Sequence, residues 1–240
     1  MFNDIIISTL AGLSTAIGAV LIIVMGKPPD KMVSTMLGFA AGIMIAISTL
    51  ELIPEAVELG GTFIAALGFV LGTFLMLVLD GLIPHAHMGS GEKESKESEM
   101  KKMGYFIFFG IALHNLPEGL AIGAGFEAQG TLGFTIALAL AIHNIPEGMA
   151  TAVPLIKGGV SKGKVFILTL FAGLMTPVGT ALGFLIFNIS QDFVAVSLSL
   201  AAGAMIYIVG DELIPQSHKQ HSHTANLGLL AGFLLGLIIV

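Results

Sequence analysis

The stretch AAGIMIAISTLELIPE at residues 40–55 returns as AAGAMIYIVGDELIPQ at residues 201–216, with ten of sixteen positions identical and no gap. The same shift, here called the repeat offset, aligns AGLSTAIG from Ala11 with AGLMTPVG from Ala172. A slightly longer shift aligns LGFVLG with AGFLLG near the ends of the two copies. Small residues at GxxxG spacing are common wherever membrane helices pack closely, so two helices can resemble each other by chance. The shared ELIP ends at one offset argue against chance, and we interpret the stretches as two copies of one unit.

Composition predicts a membrane protein. The chain has 240 residues, of which 55% are hydrophobic and 11% charged, whereas a soluble domain carries about 25% charged residues. The net charge of −6 indicates no nucleic-acid partner, and the absence of cysteine excludes disulfides and thiolate metal sites. No basic segment precedes the first apolar run, which is too long for a signal peptide, so we interpret it as a retained span. The expected surroundings are a lipid bilayer.

Uncharged runs predict the membrane spans, because a helix needs about 20 residues to cross ~30 Å of hydrocarbon. Six runs qualify directly, at residues 5–25, 32–50, 59–79, 165–191, 193–210 and 224–240. Two more, at about 104–123 and 132–156, qualify if each tolerates one buried glutamate. The predicted fold is therefore an all-α polytopic membrane protein with eight transmembrane helices.

The repeat predicts how these spans are arranged. Spans 1–3 and 6–8 form the two copies, and five spans separate equivalent helices, an odd number, so the copies must have opposite topology. Inverted repeats around a central element are the architecture of alternating-access transporters. We expect one transmembrane domain over residues 1–240, with a first repeat at about 5–83, a central helix pair at about 104–156, a second repeat at about 164–240 and a charged cytoplasmic loop at 84–102.

Lysines predict the orientation. The chain has no arginine, and its ten lysines all lie after span 1, 3, 5 or 7, or at the adjoining span edge. Positively charged loops stay in the cytoplasm. Both termini are therefore expected on the extracellular or periplasmic side of the cell membrane.

A second duplication, ALHNLPEGLA and AIHNIPEGMA, occupies the central spans near the expected membrane midplane. His114 and Glu118 are one helical turn apart, as are His143 and Glu147, so each pair shares a helix face. Ionisable groups at this depth are costly and mark a function. Two imidazoles and two carboxylates together suit a borderline divalent metal, with zinc first and iron, manganese and cadmium as alternatives. The ion is expected as cargo, with no prosthetic group.

These two motifs resemble the fourth and fifth helices of the ZIP (Zrt-/Irt-like) family of divalent metal transporters, in its prokaryotic branch, and the resemblance covers essentially the whole chain. It implies eight helices in a 3+2+3 inverted repeat, extracellular termini, metal uptake toward the cytoplasm and often a homodimer. It also implies a transport site made of His114, Glu118, His143 and Glu147, with Asn115 and Asn144 lining a neighbouring site.

The chain departs from its binuclear relatives at two positions. Thr176 stands where many of them have a carboxylate, and Asn144 stands where they have an aspartate, so the resemblance puts a second tightly bound metal in doubt. It also offers Met44 as a soft ligand, although methionine at helical spacing is usually core filling.

Other polar residues carry weaker signals. Glu51 and Glu212 are repeat equivalents, and either attract cations along the transport path or are helix-end carboxylates reaching toward water. Asp211 has no acidic counterpart in the first copy. The histidines expected on the cytoplasmic side either capture metal weakly or are solvated; they are His85, His87, His218, His221 and His223.

The function expected is transport of a divalent metal, with no enzymatic activity. Two alternatives share the same ligands. An intramembrane zinc-dependent hydrolase would need an open coordination position and a separate base, for which the symmetric motif pair offers no partner. A passive metal channel differs only in whether both gates open together, which sequence does not reveal.

Overall fold

The computed structural model describes residues 2–26, 29–82, 96–128, 130–187 and 191–239. Within these residues the chain is helical and contains no strand, which confirms the predicted all-α class. In chain order the elements are α1 (Phe2–Met25), α2 (Asp30–Ile47), the π-helix π1 (Ser48–Leu52), α3 (Ile53–Leu82), α4 (Lys96–Ala128), α5 (Gly130–Lys157), α6 (Lys162–Phe187), α7 (Gln191–Ile208), the π-helix π2 (Val209–Leu213) and α8 (Ile214–Ile239).

Seven helical stretches of the described chain are long and apolar enough to cross a membrane. One of them runs for 49 residues from Asp30 to Val78, through α2, π1 and most of α3. Large apolar side chains cover the outside of the helices, among them Phe63, which is 81% exposed, and Ile238, which is 79% exposed. An apolar surface of this extent fits acyl chains rather than water. The chain is therefore a multi-pass membrane protein.

The link between the predicted second and third spans differs from expectation. Those spans were predicted to end near residue 50 and to begin near residue 59, yet the backbone remains helical through this link. Leu52 and Ala56 within it are fully buried, so packing holds the segment in a helix. The break comes later, at Gly61, whose φ of 77° is a left-handed conformation that favours glycine.

The predicted loop at 84–102 is too long, because α4 already begins at Lys96. Charged composition suggested a loop, but Glu97 and Lys101 are spaced one turn apart, and such a pair supports a helix. The rest of that predicted loop, residues 84–95, lies outside the described residues.

Helix packing divides the chain into two groups. In the first group α1 and α4 each pack against both α5 and α6. In the second group α2 packs along α8, and α3 along α7. The groups meet where α4 contacts α7 and where α2 contacts α5. α4 and α5 therefore have neighbours from both groups, and polar residues on them can be enclosed by protein.

Glycines allow helices to cross with their backbones in contact. A Cβ at Gly12 of α1 would overlap the carbonyl oxygen of Gly173 of α6, and a Cβ at Gly173 would overlap the carbonyl oxygen of Gly12. Small residues are the usual means of such close approach in membranes. The same kind of contact joins α2 to α8 at Gly38, Gly42, Gly228 and Gly232.

The two π-helices interrupt the chain at matching places. Each has five residues, and the repeat offset aligns Ser48, the first residue of π1, with Val209, the first residue of π2. Both end just before the proline of an ELIP motif, Pro54 or Pro215. A proline has no N–H, and its ring clashes with the carbonyl one turn earlier in a regular helix. Each π turn lies next to such a proline and carries one glutamate of the repeat.

We expect Gly173→Ala to destabilise the protein, because its new Cβ meets backbone that cannot move aside; overpacking of this kind costs about 1–3 kcal/mol. Gly163→Ala on the same helix is the control, since a Cβ there meets nothing within 4 Å. Because the chain has no tryptophan whose fluorescence could report unfolding, helix loss on heating in detergent is followed by circular dichroism. Equal thermal unfolding midpoints for Gly173→Ala and Gly163→Ala would contradict the close contact of α1 and α6 at Gly173.

Candidate metal centre

Three ionisable side chains meet where α4 and α5 pack together: Glu118, His143 and Glu147. All three are 0% exposed. His143 Nε2 lies 3.0 Å from Glu118 Oε1 and 3.9 Å from Glu147 Oε1. One ligand atom from each residue lies within 4.8 Å of the other two. Among the described residues this is the group of histidine and carboxylate side chains compact enough to hold a metal ion.

Local sequence places these side chains on facing helices. His143 and Glu147 are one turn apart on α5, and Glu118 occupies the position of Glu147 in the copy of the motif on α4. Pro117 and Pro146 precede the two glutamates and lie inside their helices. A proline inside a helix removes one backbone hydrogen bond and frees a carbonyl a turn earlier, which membrane helices tolerate where they line a polar interior.

The donor set suits a divalent cation. Two carboxylates carry two negative charges when ionised, and buried charges are stable only when they are paired or coordinate a metal. Donor atoms on one tetrahedral zinc lie roughly 3.3 Å apart, because each is about 2.0 Å from the ion. The separations of 3.0 and 3.9 Å bracket that value. The group can therefore bind a metal with small side-chain adjustments.

His114, the remaining predicted ligand, has its backbone in α4 one turn before Glu118. Its side chain lies outside the described part of the structure, so its ligand role stays a prediction.

Asn115 and Asn144 are fully buried beside the cluster, and each is fixed by a neighbouring helix. Asn115 Nδ2 donates a hydrogen bond to the Ala172 carbonyl of α6 at 2.8 Å, and Asn144 Nδ2 donates to the Ala11 carbonyl of α1 at 3.2 Å. These bonds hold the two amides against the outer helices on either side of the cluster.

Thr176, predicted on the transport path, is also fully buried, on α6. A Cβ at Gly119, the residue after Glu118, would overlap the Thr176 carbonyl oxygen. Thr176 therefore lies where α6 packs against α4, next to the residue that follows Glu118.

Sequence reasoning missed Thr15 of α1. It is fully buried, and a Cβ at Gly148, the residue after Glu147, would overlap its carbonyl oxygen. The signal was present in the sequence, since Thr15 is the residue that the repeat offset aligns with Thr176.

Comparison with known proteins agrees with this centre. The family model for ZIP zinc transporters matches residues 83–240. The chain is 35% identical to the zinc transporter ZupT of Streptococcus mutans, over 98% of this chain and 95% of that protein. It is 37% identical to ZupT of Chlorobium phaeovibrioides, over 97% and 94%, and 37% identical to the zinc transporter ZIPB of Bordetella bronchiseptica, over 92% and 75%.

The chain belongs to the ZIP family. Members of this family are transporters and not enzymes, as expected for this chain.

The other predicted path residues lie at different places in this ZIP family fold. Met44 is fully buried in the apolar core, and its ligand role stays a prediction. Glu212 is partly buried, and a Cβ at Gly110 of α4 would lie 2.9 Å from its Oε1, so its carboxylate reaches the helix that carries Glu118. Glu51 is partly buried and Asp211 is exposed.

The predicted loop histidines do not gather into one group within the described residues. His218 Nε2 and Asn226 Oδ1 are 2.9 Å apart, and His218 Nδ1 lies 2.8 Å from the Ile214 carbonyl. His221 stands at a break in α8, with φ −145° and ψ 81°, and His223 is exposed. His85 and His87 lie outside the described residues.

We expect the purified protein to bind one zinc ion tightly, and Glu118→Gln to weaken that binding. Losing a partner of a metal ligand costs about 10–100-fold in affinity, and losing a direct charged ligand should cost at least as much. Glu127→Gln is the matched control, because Glu127 lies on the same helix but is exposed. Equilibrium dialysis in detergent measures both quantities; two tight ions per chain, or equal affinities for the two variants, would contradict the assignment.

Proposed function

We propose that this ZIP family protein carries zinc across the cell membrane toward the cytoplasm, binding it between Glu118, His143 and Glu147 with His114 as a further ligand. The observation that carries the proposal is the burial of Glu118, His143 and Glu147 inside a membrane protein, where an isolated charge costs at least about 2.5–3.5 kcal/mol on insertion scales. The related ZupT and ZIPB proteins are named zinc transporters. Iron, manganese and cadmium suit the same nitrogen and oxygen donors.

We infer eight crossings in a 3+2+3 arrangement. The helical stretch of 49 residues is about 74 Å long if straight, at 1.5 Å per residue, and a membrane core is about 30 Å thick. The stretch is therefore long enough to cross twice, and the break at Gly61 interrupts it.

Two structural equivalences support the inverted repeat. The π-helices π1 and π2 occupy matching positions of the two copies. The hydrogen bonds that the side-chain amides of Asn115 and Asn144 donate match as well, because the repeat offset aligns the residues of their acceptor carbonyls, Ala172 and Ala11, with each other. Each copy thus presents the same carbonyl to one helix of the central pair.

The lysines support release toward the cytoplasm. A cavity of about 120 Å³ lies between α2, α4, α5 and α8, with Lys157 and Lys219 in its lining. Its wall on α5 contains Ala150, Pro154 and Lys157, which follow Glu147 along one face of that helix. The cavity therefore extends from the lysine-bearing end of the protein to within one turn of the cluster. On this proposal both termini face outward, and the association of two copies as a homodimer rests on the family resemblance alone.

A carrier explains the burial of the cluster better than a passive channel. A channel conducts through a continuous path, whereas all three cluster side chains are closed off from solvent at 0% exposure. In a carrier such a site opens to one side at a time.

In proteoliposomes, we expect His143→Ala and Glu147→Gln to slow zinc uptake at least about tenfold, because each removes a direct ligand. Glu127→Gln should transport at the unaltered rate. Uptake is followed with a fluorescent zinc indicator trapped inside the vesicles, and the same assay with iron, manganese and cadmium in competition ranks the metals. In vesicles without indicator, faster entry of radioactive zinc when unlabelled zinc is already inside is expected of a carrier, and its absence would favour a channel. Near-normal uptake by both site variants would refute the proposed site.

Orientation can be tested cleanly because the chain has no cysteine. With an impermeant thiol reagent on intact cells, Asn3→Cys in α1 should be labelled. Ser161→Cys, between α5 and α6, should react only after the cells are opened. Both positions are exposed. The reverse pattern would place the lysine-rich side outside.

A further inference from the structure

Four buried oxygen atoms around the metal cluster have no hydrogen-bond partner among the described residues. All four belong to uncharged side chains that are 0% exposed: Thr15 Oγ1, Asn115 Oδ1, Asn144 Oδ1 and Thr176 Oγ1. A buried polar atom without a partner costs about 1–3 kcal/mol, and buried polar groups in native proteins are nearly always satisfied. Four such atoms in one region indicate a ligand that supplies hydrogen-bond donors.

The two asparagine oxygens are fixed in direction. A carbonyl can only accept, so the amide that meets the Ala172 or Ala11 carbonyl must present its Nδ2. The Oδ1 atom of each asparagine is then turned away from that bond. Asn115 and Asn144 each stand three residues before a cluster glutamate, so each side chain lies about one helical turn from that glutamate along its helix.

The two threonines lie where the outer helices cross beside the cluster. Their carbonyls touch Gly148 and Gly119, the residues after Glu147 and Glu118. Their side chains approach the crossing of α1 and α6 as well: a Cβ at Gly173 would lie 3.3 Å from Thr15 Cβ, and one at Gly12 would lie 3.3 Å from Thr176 Cβ. The hydroxyls thus belong to the same polar region as the amides.

We propose that these four oxygens, Thr15 included, accept hydrogen bonds from water molecules that the transported dication keeps as ligands while it occupies the cluster. Water bound to a dication is strongly polarised, so neutral acceptors are the partners it needs. The oxygens add no charge, and a second dication beside the first would remain uncompensated. This inference rests on the proposed function, because it describes the surroundings of the ion at the same site.

The proposal assigns Thr15 a role in metal selectivity. Manganese prefers oxygen ligands and water, whereas cadmium takes softer donors. Removing the Thr15 hydroxyl should therefore slow manganese uptake more than cadmium uptake. We expect Thr15→Val, which keeps the side-chain shape, to lower the manganese rate roughly tenfold, the effect of about one hydrogen bond to a charged group. Thr15→Ser restores the hydroxyl and should restore the rate.

The control is Thr169→Val on α6. Thr169 is also fully buried, but its hydroxyl donates to the Val165 carbonyl of its own helix at 3.0 Å. Initial rates for manganese, zinc and cadmium are measured in proteoliposomes for both variants. Thr176→Val, at the matching position of the other copy, is measured in parallel and should shift selectivity in the same direction.

Zinc binding by the purified variants distinguishes a defect in the water shell from a defect in the metal site itself. Thr15→Val is expected to retain zinc binding, weakened by no more than about tenfold, because it keeps every direct ligand and loses only one partner of a metal-bound water. An unaltered ratio of manganese to cadmium uptake rates in both Thr15→Val and Thr176→Val would refute the proposed water shell but not the proposed metal site. An equal loss for all metals, shared by Thr169→Val, would also overturn it, because the effect would then be structural. Failure of the unaltered protein to take up any of the metals would instead refute the proposed function.

Discussion

Two carboxylates and an imidazole lie within 4.8 Å of one another in the interior of a membrane protein. The packing of the surrounding helices depends on this concentration of ionisable groups. Lipid offers them neither water nor hydrogen bonds, so protein must enclose them on every side. His143 lies between the glutamates and within reach of both. A bound dication completes the compensation, because its two positive charges match the two carboxylates. Burial of two carboxylates destabilises the cluster when no cation is near, and the same burial strengthens their attraction to a bound dication.

Enclosure requires helices that approach closely without large side chains. Gly119 and Gly148 follow the cluster glutamates directly, and the backbones of α6 and α1 occupy the space that a Cβ would fill. α1 and α6 then meet each other at Gly12 and Gly173. Four helices thus surround the site with backbone rather than with bulky groups. The polar groups that α1 and α6 place against Gly148 and Gly119 are the carbonyls of Thr15 and Thr176, which add dipoles but no charge.

The sequence was most informative where spacing alone fixes geometry. One turn between His143 and Glu147 places both on a helix face, and the duplicated motif indicated that Glu118 would meet them, as it does. Periodicity does not distinguish an α turn from a π turn, because the difference depends on how the chain relieves the proline of ELIP. The ends of the helices could not be predicted from the sequence either, because they depend on side-chain packing and not on composition alone. The link between residues 50 and 59 was predicted as a break because it carries glutamates, yet Leu52 and Ala56 are buried there and the helix continues.

The two copies differ in charge, and on the proposed inverted repeat this difference distinguishes the two ends of the path. From π1 onward the first copy carries Glu51, Glu55 and Glu58, spaced along one face of the helix. The repeat offset aligns the last two with Gln216 and Lys219, so the second copy has two negative charges, Asp211 and Glu212, in place of three and gains a positive one. An acidic face concentrates dications at its own end of the path. The cavity on the other side carries no comparable charge, because Lys157 in its lining lies 3.7 Å from Asp30. The charge difference between the copies therefore favours the capture of dications from one side by a site that is itself nearly symmetric.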